Sequence, residues 1–231
     1  MTSRWACRRR IAALSVVPML TPMAGIVTEA NASATTVDVR FLDLASSDTT
    51  TIRVRIATEM GEILLDLYPD AAPNTVSNFL AYVDAGRFAE GAIFHRTVRD
   101  DNQQDDAVTI DVIQGGPARG SEPRFPPIGL ERTKDTGIRH LDGTISMPRN
   151  GPDSATSGFF ICVGDQPELD FGGQRNADGQ GFAAFGRVVE GMDVVRQIHR
   201  AAASAQSLQP PIRILGIERL PNEGEARVGS S

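Results

Sequence analysis

Two helical stripes frame the chain, and between them glycines cut the sequence into short apolar runs. The first stripe opens at Pro73, repeats apolar residues at Val76, Phe79, Leu80 and Val83, and stops at Gly86. The second spans residues 192–202, with Met192, Val195, Ile198 and Ala202 on one side. The runs between them, residues 92–97, 109–114, 143–147, 158–163 and 182–188, are too short for buried helices and end at or near Gly. Ahead of the first helix, Ile52, Val54 and Ile56 alternate with Arg53 and Arg55, and Ile63, Leu65 and Leu67 alternate with Glu62 and Asp66 across a turn at residues 59–62. That is a β-hairpin, with Leu64 the one apolar residue on its wetter face. Residues 212–220 alternate again. Many short strands and two helices predict a mainly β fold, an antiparallel sheet or barrel capped by helices, in one domain.

The first thirty-four residues read as an address rather than as structure. Arg4, Arg8, Arg9 and Arg10 precede a mostly apolar run over residues 11–26, and Ala32-Ser33-Ala34 offers the small side chains of a cleavage site before Thr35. The expected organisation is a signal peptide over 1–34, an arm over 35–51, a folded domain over 52–220 and a polar tail over 221–231. Pro18 and Pro22 interrupt the apolar run, which is short for a membrane span. A periplasmic or secreted protein, free of the membrane after cleavage, is the expectation. Cleavage leaves 197 residues with a net charge of about −9, so no basic face is on offer to nucleic acid. Cys7 departs with the leader, and Cys162 remains as a single thiol without a disulfide partner.

Hydrolytic and metal chemistry find little support. No Ser sits in a Gly-x-Ser-x-Gly elbow, and Cys162 lies inside the apolar run Phe159-Phe160-Ile161-Cys162-Val163, where a small buried hydrophobe is expected. The three histidines, His95, His140 and His199, are scattered, with His199 expected at the surface of the second helix. Asp165, Asp170 and Asp178 lack calcium-loop spacing, and the Gly-rich stretch over 171–181 reads as a surface loop. Neither a metal nor another cofactor is expected. What stands out is polar groups among aromatic strands: Phe94-His95-Arg96, where alternation places Arg96 on the face of Phe94, and Val112-Ile113-Gln114-Gly115-Gly116, beside Phe159-Phe160-Ile161 and the run from Phe182 to Gly186. A buried Arg–Gln pair supporting the sheet and a functional pair in a site fit this pattern equally.

Residues 63–83, Phe94-His95-Arg96, Gln114-Gly115-Gly116, Ser157-Gly158-Phe159-Phe160-Ile161 and Phe185-Gly186 together resemble the cyclophilins, the peptidyl-prolyl cis–trans isomerases, from about Ile52 to Leu220 and in that family's order. The resemblance implies a closed eight-stranded antiparallel barrel with a helix over each end. It implies Arg96 as the catalytic arginine and Gln114 as the active-site glutamine, with Phe160 and Leu169 walling a proline pocket and Phe94 and His95 beside the arginine. The remaining substrate-binding positions depart from the family. Asp111 and Val112 stand where Phe and Met are usual, Gly158 where a second glutamine is common, and Glu168 where Trp or Phe is common. Phe182 replaces His or Tyr, Arg149 replaces Asn, and an Asp-rich insertion runs from Arg99 to Thr109. The implied partners are proline-containing peptides and unfolded exported proteins, and the implied state is a monomer. The altered pocket leaves a second reading open, a non-catalytic peptide-binding chaperone that uses the same groove.

Overall fold

The computed structural model describes residues 50–221 except 90, 104–106, 119 and 121–124; the expected signal peptide, most of the arm and nearly all of the tail lie outside these residues. Strands β1 (Ile52–Thr58) and β2 (Gly61–Leu67) form the expected hairpin, with Ile56 opposite Ile63 and Val54 opposite Leu65. Val54, Ile56, Ile63, Leu65 and Leu67 are all fully buried, so the period-2 pattern carries one face into the core. The turn is held by the Thr58 hydroxyl, which donates to the Gly61 carbonyl at 2.7 Å and accepts from the Met60 N–H at 3.0 Å.

Helix α1 (Pro73–Asp84) follows, with Pro in its first turn. Its free N–H groups find a remote partner: the Glu131 carboxylate accepts from the Asn74 and Thr75 amides at 3.0 and 2.8 Å and from the Thr75 hydroxyl at 2.6 Å. From α1, Phe79 reaches Phe88, Phe159 and Phe185 at ring separations of 5.7, 5.8 and 5.3 Å, which joins the helix to the barrel core. Strands β3 (Ile93–Val98) and β4 (Val112–Gly116), a one-turn helix α2 (Thr133–Thr136), β5 (Thr144–Met147), β6 (Phe159–Cys162) and β7 (Ala183–Glu190) come next. Helix α3 (Met192–His199), the short β8 (Ala203–Ser204) and the long β9 (Ser207–Arg219) complete the chain.

The strands pair antiparallel in the order β1-β2-β7-β5-β6-β4-β3-β9, and β9 returns to β1 to close an eight-stranded barrel, with β8 added beside β9. Helix α3 ends three residues earlier than the apolar stripe over 192–202 suggests. The Arg99 guanidinium donates to the carbonyls of His199 and Ala201, and the Thr97 hydroxyl to that of His199, so side chains from β3 and the residue after it take the terminal acceptors. Strand β9 begins five residues before the predicted Ile212. Pro210 and Pro211 hide its start, yet the ladder with β3 jumps from Phe94–Ile212 to Arg96–Ser207, and the two prolines fall where no ladder donor is required. No helix among the described residues is long and apolar enough to cross a membrane.

Candidate functional site

One row of residues crosses four neighbouring strands. Arg96 on β3 lies opposite Gln114 on β4, Gln114 opposite Phe160 on β6, and Phe160 opposite Ser146 on β5. Directly opposed residues share a face, so register alone places guanidinium, amide and ring side by side on the barrel exterior. Around them Val98, Ile110, Val112, Phe160, Cys162, Leu169 and Phe182 form an apolar cluster separate from the barrel core. Phe182 meets Phe160 edge to face at 5.5 Å. The result is a groove of about 750 Å³ lined by Arg96, Val112, Gln114, Arg149, Gly158, Phe160, Leu169 and Phe182 among others.

Arg96 is held in place at the rim. Its Nη1 donates to Gln114 Oε1 at 3.0 Å, and its Nε donates to Gln206 Oε1 at 2.9 Å. Across the groove Arg149 supplies the opposite wall. Its Nη1 and Nη2 each lie 2.7 Å from an oxygen of Asp178, its Nε donates to the Gly181 carbonyl at 2.7 Å, and its guanidinium carbon sits 5.3 Å from the Phe182 ring centre. The Arg149 hydrogen bonds, with one from the Gln180 amide, pull the Asp178 carboxyl down to about 2. Arg175 Nη1 donates to the Val108 carbonyl at 2.6 Å, which ties the loop after Leu169 to the inserted segment, so Ala107 and Val108 also face the groove.

Behind the Phe160 ring lies a buried polar chain. His140 Nδ1 is 2.8 Å from Asp170 Oδ1, His140 Nε2 is 2.9 Å from the Ser146 hydroxyl, and the imidazole stacks on Phe160 at 6.0 Å and 13°. Ser146 is fully buried and His140 nearly so, so the Asp–His–Ser order supports the wall of the groove rather than a reaction in it.

Four of the twelve residues named from sequence lie elsewhere. Phe94 points into the barrel, fully buried and edge to face with Phe159 at 5.6 Å. The β-ladder slips between Phe94 and Arg96, so a bulge at His95 reverses the alternation that would have put Phe94 beside Arg96. The inward Phe94 ring is also why residue 115 is glycine, since a Cβ there would stand 2.9 Å from Phe94 Cδ1. His95 occupies the bulge and is not among the groove-lining residues. Glu168, in the turn before Leu169, lines a neighbouring depression, and its carboxylate accepts the Gln174 amide at 2.8 Å.

Asp111 turns toward His199, which is buried rather than on the surface: packing of α3 brings His199 Nε2 to 2.9 Å from the Val98 carbonyl and 3.3 Å from Asp111 Oδ1. Burial, with the charge of Asp100 next in weight, raises the Asp111 carboxyl above its ordinary range, although His199 opposes the shift. The shorter contact to Val98 engages the histidine proton and leaves Asp111 the weaker share. A carboxyl raised by folding stabilises the fold while protonated, and that contribution is lost as pH rises through its titration. Asp111→Asn is therefore expected to melt higher than the parent at about pH 7 and at the same temperature at about pH 3, a comparison that thermal scans at the two pH values check.

Two contributors went unseen in the sequence. Gln206 approaches from a turn 110 residues beyond Arg96, and Arg175 from the Gly-rich loop, and neither position carries a local pattern. Cys162 is fully buried, and burial raises its thiol pKa well above the ordinary value. No His, Asp, Glu or Cys appears among the described residues that line the groove, and no cluster of three or more potential metal ligands occurs among the described residues. The lining can donate hydrogen bonds, cup an apolar ring and exclude water, and its described residues place no general base beside a hydroxyl.

Comparison with known proteins gives a consistent picture. Residues 53–219 match the family model described as cyclophilin type peptidyl-prolyl cis-trans isomerase/CLD. A peptidyl-prolyl cis-trans isomerase of Streptomyces antibioticus is 41% identical over 146 residues, 63% of this chain and 81% of that protein. Peptidyl-prolyl cis-trans isomerase B of Escherichia coli is 33% identical over 161 residues, 69% of this chain and 91% of its own length. A cyclophilin-type isomerase of Cryptosporidium parvum superposes with a TM-score of 0.60 at 21% identity, covering 75% of this chain and 99% of that one. The same protein in the presence of the dipeptide Ala-Pro superposes at 0.59.

Proposed function

The chain belongs to the cyclophilin-type peptidyl-prolyl cis–trans isomerases, and from that premise we propose how this groove accelerates rotation about the X–Pro bond and where in the cell it does so. An X–Pro amide resists rotation because its partial double bond must be broken, against a barrier of ~18–20 kcal/mol. At the twisted state the proline nitrogen becomes pyramidal and regains a lone pair. A donor near that nitrogen stabilises the twisted form over either planar form, which lowers the barrier without tightening the ground state. Arg96 is that donor. Gln114 holds the guanidinium and offers its amide to the peptide, while Val112, Phe160, Leu169 and Phe182 take the proline ring out of water. The observation that carries this reading is the row Arg96–Gln114–Phe160 on one face of three strands. The described residues around that row, which include no acid, His or thiol, suit a reaction that transfers no group.

The non-catalytic chaperone reading rests on Asp111, Gly158 and Glu168. Two of these three lie outside the groove lining, so the altered residues cost the pocket less than the sequence suggests. Exchange NMR on a short peptide with an Ala-Pro bond tests the assignment: substoichiometric protein should bring cis–trans exchange from its uncatalysed scale of roughly tens to hundreds of seconds into the sub-second range. Shifts of peptide resonances without faster exchange would leave binding as the groove's only act.

The compartment belongs to the same reading. The basic segment, apolar run and Ala32-Ser33-Ala34 support export, and with it the folding of proline-containing exported proteins outside the cytoplasm. N-terminal sequencing of protein from its native compartment should begin near Thr35; an intact Met1 there would overturn the export assignment.

A further inference from the structure

We propose that Gln206, at the turn between β8 and β9, is a positioning residue that clamps Arg96 for isomerisation; this rests on the reading of Arg96 given above. An arginine side chain has many rotamers, and a donor that must be found in one place at the twisted state works best if those rotamers are already lost. Gln114 fixes one end of the guanidinium, accepting from Nη1 at 3.0 Å. Gln206 fixes the opposite edge, because its Oε1 accepts from Nε at 2.9 Å and also from Nη2. Two amide oxygens on different edges of a planar fork hold its position and its plane together.

Gln206 is itself held. Its Nε2 donates to the Asn102 carbonyl at 3.2 Å, so the oxygen is directed at Arg96 and the NH₂ at an acceptor; a flipped amide would oppose donor to donor and acceptor to acceptor. The Asn102 side chain in turn donates to the carbonyls of Thr97 and Ala205, each at 3.1 Å, and accepts from the Arg99 amide at 2.8 Å. The Gln206 carbonyl accepts from the Thr97 amide at 2.9 Å. Ala205 takes a left-handed backbone at φ 49°, an uncommon conformation for a residue with a Cβ, and it presents Gln206 toward β3. The first turn of the inserted segment is thus the footing of the clamp, which gives that insertion a task at the reacting centre.

The choice of an amide has a consequence. A neutral oxygen holds the guanidinium without cancelling its charge, whereas a carboxylate would hold it as firmly and weaken what it offers to the proline nitrogen. Gln206→Ala should lower kcat about tenfold with KM little changed, the pattern of a group acting on the transition state alone. The Arg96 Nε–H resonance should shift and exchange faster with water. Gln206→Glu should keep that N–H protected and still lose kcat. Adding Gln206→Ala to Arg96→Ala should cost nothing further, since the two act as one unit.

Line-shape NMR at low and saturating Ala-Pro peptide, with Arg96 Nε–H spectra on the same samples, provides all four readouts. A folded Gln206→Ala protein with unchanged kcat and an unaltered Nε–H signal would overturn the proposal. So would a further loss of activity when Gln206→Ala is added to Arg96→Ala. Should Arg96→Ala itself keep full activity, the reading of Arg96 fails, and the Nε–H signal still decides whether Gln206 holds it. Gln206→Met, of similar length but without the amide, replaces the Ala variant if the hairpin loosens.

Discussion

Arg96→Ala is expected to lower kcat/KM for X–Pro isomerisation by ~10²–10³, the cost of removing one preorganised donor from a transition state. The side chain lies at the groove rim and outside the barrel core, so the variant should fold and melt close to the parent temperature. Arg96→Lys should recover little of the loss. A single ammonium cannot satisfy Gln114 and Gln206 on separate edges and still face the proline nitrogen. The measurement is kcat/KM by exchange NMR, with the fraction folded taken from circular dichroism on the same preparation. Full activity in folded Arg96→Ala protein would end the mechanism. Activity that merely tracks the folded fraction would make Arg96 a structural member of the sheet, the alternative that the sequence alone left equally open.

The architecture was legible wherever a local pattern reports burial. Alternation at Val54 and Ile56 and the stripe through Val76, Phe79 and Val83 placed strands and helix correctly because each pattern directly records which side faces the core. Barrel closure came instead from the family resemblance, since no local pattern says that β9 returns to β1. The placement of the site residues was less legible, for physical reasons that differ between residues. The period-2 rule places Phe94 on the face of Arg96, but a bulge breaks it, and nothing in Phe94-His95-Arg96 marks a bulge. His199 looked exposed beside Arg200, but its ring is drawn under the barrel by the Val98 carbonyl, a partner 101 residues away. Gln206 and Glu131 act through hydrogen bonds across long sequence separations, and one isolated polar residue in a loop carries no trace of such a partner.

His140→Ala is expected to be the most destabilising change near the groove, at roughly 3–5 kcal/mol. Removal of the imidazole opens a cavity behind Phe160 and takes from Ser146, which is fully buried, its bond to Nε2 at 2.9 Å. It also takes the Nδ1 contact from Asp170, whose side chain is only 13% exposed. His140→Phe fills the space without the hydrogen bonds and should cost about 1–3 kcal/mol, so the difference between the two variants separates packing from polar satisfaction. Acid should narrow the gap between parent and His140→Ala. Burial pushes the Asp170 carboxyl up, but the His140 ring and backbone N–H, aided by Arg139, more than offset it and leave its pKa below the ordinary 3.8. A carboxyl depressed by folding contributes stability that is present above its unfolded value and lost as pH falls through its folded value. The loosened Phe160 wall should raise KM for a proline peptide more than it lowers kcat, because the Arg96 donor is left in place. Thermal melts at about pH 7 and about pH 3, with peptide titration at the higher pH, check each step. A His140→Ala protein that melts within a degree or two of the parent at about pH 7 would show that the buried chain does not brace the groove.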